Sequence, residues 1–146
     1  MNTIRLTRKF EFETAHLLTN YDGKCKNIHG HSYKLFVTII GKPEINPESP
    51  KLGMVIDFTE LKNIVNENII DKLDHNIILD RKSTLLKQLA DNNNIYITDF
   101  QPTAENILLH IVEILKDKLP PSGKLFSLRL YETENSYAEW YSSDNQ

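Results

Sequence analysis

The sequence predicts an α+β fold: an antiparallel four-stranded sheet with two helices on one face, in the order β-β-α-α-β-β. Three observations predict it. Apolar and polar residues alternate through most of Ile4 to His16 and again from His29 to Gly41, the period of half-buried strands. The middle of the chain switches to helical spacing, and alternation returns from Leu125 to Tyr141.

In the first strand Ile4, Leu6, Phe10, Phe12, Thr14 and His16 share a face, with Arg5, Thr7, Lys9, Glu11 and Glu13 between them. A polar loop from Thr19 to Lys26 follows. In the second strand His29, His31, Tyr33, Leu35, Val37 and Ile39 point one way, and Gly30 offers close access between the two histidines. Three prolines mark Lys42 to Lys51 as a loose connection. Asp57 and Glu60 have capping-box spacing, and Phe58, Leu61, Ile64, Val65, Ile69 and Leu73 predict a helix from Phe58 to about Leu73, ending near Asp74-His75. Asp91 to Asn94 reads as a second loose segment. Thr103, after Pro102, is the expected N-cap of a helix carrying Ile107, Leu108, Ile111, Leu115 and Leu119 and stopped by Pro120, Pro121 and Gly123. In the strand from Leu125 to Thr133, Phe126, Leu128, Leu130 and Glu132 are expected on one face. Asn135-Ser136 turns the chain into a last strand, Tyr137 to Tyr141.

With 146 residues the chain fits one domain, 1–146, and shows no internal repeat. A net charge of -3 excludes the global basic field of a nucleic-acid binder. The N-terminus lacks an apolar signal core, no stretch of 18 apolar residues occurs, and the single cysteine cannot form an internal disulfide. A cytoplasmic protein is the expectation.

The chemistry concentrates in a 16-residue span holding His16, His29, His31 and Cys25. Residues two apart on a strand point the same way, so His29 and His31 can reach one ion. A third imidazole on the neighbouring strand completes a three-nitrogen set that suits zinc. Cys25, between Lys24 and Lys26, is either a small buried hydrophobe or a thiol activated by nearby cations. Asp74-His75 is either a solvated helix end or an acid/base pair whose tautomer the carboxylate fixes. Glu132 continues an apolar face, where a carboxylate needs a partner such as a guanidine-like edge. His110, inside the second helix, reads as structural or exposed.

Six segments occur in register: Phe12-Glu13-Thr14-Ala15-His16, Cys25-Lys26-Asn27-Ile28-His29-Gly30-His31, Gly53-Met54-Val55-Ile56-Asp57-Phe58, Leu73-Asp74-His75, Pro102-Thr103-Ala104-Glu105-Asn106 and Tyr131-Glu132-Thr133. Together they resemble the 6-pyruvoyltetrahydropterin synthase / 6-carboxytetrahydropterin synthase family over nearly the whole chain. The resemblance implies a tunnelling fold (T-fold), in which trimers close their sheets into a barrel and stack in pairs as a homohexamer, with active sites between subunits. It implies that His16, His29 and His31 bind zinc and that Cys25 is the catalytic cysteine. Asp74 and His75 would form the catalytic dyad, Glu132 would anchor the pterin's 2-amino and N3 edge, and Thr103 would line the pterin pocket, with Glu105 in a supporting role.

The substrate so implied is 7,8-dihydroneopterin triphosphate, with Lys24, Lys26, Arg81 and Lys82 as triphosphate candidates by charge alone. The three residues between Cys25 and His29 resemble the spacing of bacterial 6-carboxytetrahydropterin synthases of the queuosine (7-deazaguanine) pathway, which release acetaldehyde and triphosphate. The alternatives are a 6-pyruvoyltetrahydropterin synthase that only eliminates triphosphate, a non-catalytic pterin- or purine-binding T-fold module, and a structural zinc protein with Cys25 as fourth ligand. The segment from Asp80 to Gln101 departs from the family pattern. Thr14 stands where the family often has alanine, a change expected to be without consequence.

Overall fold

The structure, a computed structural model, describes residues 2–19, 27–91 and 94–146. Its backbone is one curled six-stranded sheet in the order β4-β3-β1-β2-β5-β6. Strand β1 (Ile4–His16) pairs antiparallel with β2 (His29–Gly41) along its whole length, from Ile4 opposite Gly41 to His16 opposite His29. Strand β5 (Gly123–Thr133) pairs antiparallel with β2, and β6 (Ser136–Tyr141) with β5. These are the strands that the alternation predicts.

The four-stranded, wholly antiparallel sheet of the sequence reading is corrected by two short strands. β3 (Ile77–Asp80) lies parallel to β1 at Ala15 and His16, and β4 (Ile95–Thr98) lies parallel to β3. Leu79 and Ile78 are fully buried, so β3 is a continuous apolar run rather than an alternating one. The Asp80 to Gln101 segment also carries a short helix, α3 (Leu86–Ala90).

The expected first helix is three pieces in series: α1 (Phe58–Val65), a π-helical turn (Asn66–Ile70) and α2 (Asp71–Leu73). Within the wide turn the Asn68 amide donates to the Ile64 carbonyl at 2.7 Å, a side chain competing for a backbone acceptor. Asp57 caps α1 by accepting from the Thr59 N–H at 2.6 Å, but Glu60 does not close a capping box; its carboxylate pairs with Lys51. The second major helix, α4 (Ala104–Leu115), starts where expected, with the Thr103 hydroxyl accepting from the Asn106 N–H at 3.2 Å.

Phe10, Phe12, Tyr33, Leu35, Leu128 and Leu130 of the sheet meet Leu61, Val65, Ile107, Ile111 and Leu115 of α1 and α4 in one core, with the Phe12 and Tyr33 rings stacked at 5.0 Å. Both long helices therefore cover the same face. Phe126 is a correction. A β-bulge lets Thr38 pair with Ser127 and Ile39 with Leu125, so Leu125 takes the core position. Phe126 packs instead under the Arg5 guanidinium, 4.0 Å from its ring centre, and beside Tyr141.

Candidate metal centre and active site

The β1–β2 register builds the site. His16 stands directly opposite His29, and Thr14 opposite His31, so all three imidazoles emerge at one end of the core face. Their ring centres form a near-equilateral triangle with sides of 4.5, 5.0 and 4.9 Å. One nitrogen from each ring lies within 4.8 Å of the other two. Gly30 is not a steric requirement here: a Cβ built on it would meet only the Thr14 carbonyl, at an ordinary 3.8 Å.

The tautomers follow from backbone carbonyls. His16 Nδ1 donates to the Pro102 carbonyl at 2.6 Å, and His29 Nδ1 donates to the Asn27 carbonyl at 2.7 Å. A carbonyl only accepts, so both Nδ1 atoms carry protons and both Nε2 atoms present lone pairs. Those lone pairs face each other across 2.9 Å, a repulsive arrangement unless a proton or cation lies between them. His31 Nε2 is buried without a hydrogen-bond partner among the described residues and sits 3.8 Å from Glu132 Oε1. Burial pushes His16 down to about 4, against the pull of the Pro102 carbonyl and with help from its two imidazole neighbours. Burial also lowers His31, opposed by the Glu132 carboxylate. Three convergent imidazoles, two of them with their far nitrogens already engaged, fit a zinc ion, whose nitrogen ligands at about 2.0–2.1 Å need separations of roughly 3.4 Å.

A cavity of about 310 Å³ opens beside this cluster, lined among others by His16, Leu18, Thr103, Glu105 and Glu132. Glu132 is the unpaired residue of a second bulge, where Tyr131 pairs with Tyr137 and Thr133 with Ser136. Bulges re-aim side chains at strand ends, and this one leaves the carboxylate free of the β6 ladder. The five expected residues His16, His29, His31, Glu132 and Thr103 are thus brought together.

Asp74 and His75 are not part of that cavity. They lie at the end of α2, and His75 borders a separate hollow of about 340 Å³ that also reaches His31. His75 Nδ1 is 3.0 Å from Asp74 Oδ2, and Asp74 Oδ1 accepts the Glu13 N–H at 2.8 Å. That N–H, opposed by burial and aided by His75, holds the Asp74 carboxyl below its ordinary range. His75 has φ 59°, the left-handed position after a helix where glycine is usual. Cys25, Lys24 and Lys26 lie outside the described residues. Arg81 is already tied to Asp99 at 2.8 Å. His110 is part-buried on α4 and shares a 2.7 Å hydrogen bond with the Tyr96 hydroxyl, which fits its structural reading. Sequence reasoning missed Pro102 and Asn27, because a backbone carbonyl that fixes a tautomer leaves no trace in a side-chain pattern.

A curled sheet with three convergent histidines beside an inward carboxylate defines the class. The chain belongs to the 6-pyruvoyl tetrahydropterin synthase family, whose model matches residues 5–143. It is 40% identical over 141 residues to the 6-carboxy-5,6,7,8-tetrahydropterin synthase of Haemophilus influenzae, covering 93% of this chain and 97% of that one. It is 33% identical over 144 residues to human 6-pyruvoyl tetrahydrobiopterin synthase, covering 90% of this chain and 87% of that one. Among solved structures, the 6-pyruvoyl tetrahydropterin synthase of Caenorhabditis elegans matches with TM-score 0.71 and 27% identity over 97% of each chain. No helix among the described residues is long and apolar enough to cross a membrane.

Proposed function

We propose that this chain is a zinc-dependent 6-carboxy-5,6,7,8-tetrahydropterin synthase acting on 7,8-dihydroneopterin triphosphate in queuosine biosynthesis. The observation that carries the reading is the trio of imidazoles converging beside Glu132 at the mouth of a cavity. The greater likeness to the Haemophilus 6-carboxy enzyme than to the human 6-pyruvoyl one supports the branch.

Glu132 receives the pterin's 2-amino and N3 hydrogens, which fixes the ring and turns its side chain towards the histidines. His16, His29 and His31 hold zinc, which supplies Lewis acidity to the side-chain hydroxyls and the adjacent C–H. His75, oriented by Asp74, and the Cys25 thiolate exchange protons with the side-chain carbons. The side chain loses triphosphate and one carbon–carbon bond. One water completes the carboxyl group, two carbons leave as acetaldehyde, and the ring is reduced by the side chain's own electrons.

His75 borders a different hollow from Glu132. A homohexamer, a dimer of trimers with sites shared between subunits, accounts for this separation. The sheet has edges to offer such an assembly: β3 pairs with β1 only at Ala15 and His16, and β6 pairs on one side only. A soluble, cytoplasmic enzyme is the setting we propose.

The test is mass identification of products from dihydroneopterin triphosphate, with zinc-loaded protein and with chelator. Tetrahydropterin carboxylate plus acetaldehyde, lost on chelation, is expected. Recovery of unchanged substrate from zinc-loaded protein refutes the reading. Triphosphate release without acetaldehyde moves it to the 6-pyruvoyl branch.

A further inference from the structure

Residues 13–15 of β1 grip residues 73–76 with four hydrogen bonds. The Glu13 N–H binds Asp74 Oδ1 at 2.8 Å, and the His75 N–H binds the Glu13 carbonyl at 2.6 Å. The Ala15 N–H binds the Asn76 carbonyl at 3.1 Å. The fourth is the only one of these made by a β1 side chain: the Thr14 hydroxyl donates to the Leu73 carbonyl at 2.8 Å. Thr14 is 4% exposed, so this bond is shielded from water. On its other side Thr14 stands opposite His31 in the β1–β2 register, two residues before His16.

We propose that Thr14 is a positioning residue that holds the Asp74–His75 pair in place at the end of β1. The inference rests on the reading of that pair as the acid/base dyad. Leu73 is the last residue of α2, and its carbonyl also receives the Asn76 N–H at 3.1 Å. Pinning that carbonyl fixes the chain where it leaves the helix, immediately before His75 enters its left-handed conformation at φ 59°. A non-glycine residue persists there only when its surroundings over-determine it. Alanine at position 14 cannot donate this bond, so the hydroxyl is a device of this sequence.

The experiment compares zinc-loaded wild type with Thr14→Val, which keeps the shape, and Thr14→Ser, which keeps the hydroxyl. Turnover of dihydroneopterin triphosphate, zinc content and amide hydrogen exchange across residues 73–76 are measured on each. Thr14→Val is expected to lower kcat about five- to tenfold, the value of one buried hydrogen bond, with KM and zinc content unchanged. Exchange at the His75 and Asn76 amides should quicken, and Thr14→Ser should restore both readouts. An unchanged kcat with unchanged exchange in Thr14→Val overturns the proposal, as does a kcat loss that merely follows zinc loss. If wild type itself leaves the substrate intact, the proposed function fails. Exchange then decides the positioning role alone: faster in Thr14→Val supports it, identical to wild type overturns it.

Discussion

His16 and His75 are the same residue type, yet the fold treats them in opposite ways. His16 is 2% exposed, assembled with its partners by strand register, and its ring is oriented by a distant backbone carbonyl, that of Pro102. The His75 side chain is 78% exposed, stands on a left-handed residue, and takes its orientation from the adjacent carboxylate. A cluster that long-range strand pairing assembles around a buried imidazole is rigid, which suits a metal. An exposed pair on a strained turn can face a ligand or another subunit, which suits proton exchange. In the function proposed above, location thus divides the labour that residue type leaves open.

Removing one member of each region tests this division. His31→Ala should abolish stoichiometric zinc binding and lower turnover by at least about 10³-fold, because two imidazoles and a distant carboxylate do not make a catalytic zinc set. Inductively coupled plasma analysis of dialysed protein reads the metal directly. His75→Asn should leave zinc content intact and lower kcat by about 10²- to 10⁴-fold, the usual contribution of a positioned acid/base. Zinc loss in His75→Asn would show that the two regions are one unit and break the comparison.

The buried region was the more legible in the sequence. Its evidence is parity: His16 shares the even positions of Phe10 and Phe12, and His29 and His31 share the odd positions of Tyr33 and Leu35, so the core face that buries the aromatics also gathers the imidazoles. Parity carries only while the strand is regular. It failed at Phe126, where a bulge moves Leu125 into the core position. It was silent on β3, whose Ile77-Ile78-Leu79 run does not alternate because a strand flanked by parallel neighbours is buried on both sides. The dyad was legible as a motif but not as a place. Its position depends on the π-turn at Asn66–Ile70 and on the grip of residues 13–15, neither of which has a periodic signature.

The smallest expected effect separates the two regions by pH. In the metal-free protein, burial holds His16 at about 4 against an ordinary 6.5. Between those values the unfolded chain binds a proton that the folded chain refuses, so stability is full above about 6.5 and falls as the pH drops towards 4. His31, also lowered by burial, adds loss in the same direction. Asp74 behaves as a carboxylate held below its ordinary 3.8: its contribution is complete above that value and is lost only as the pH falls through its lower folded range. Urea unfolding of chelator-treated protein from pH 7.5 to 4.5 should therefore show a decline of about 1–3 kcal/mol assignable to the histidine cluster. His16→Gln should flatten most of that decline, and Asp74→Asn should leave it in place. A flat wild-type profile across this window would mean that the imidazoles open to water without their metal, and the buried half of the comparison would fall.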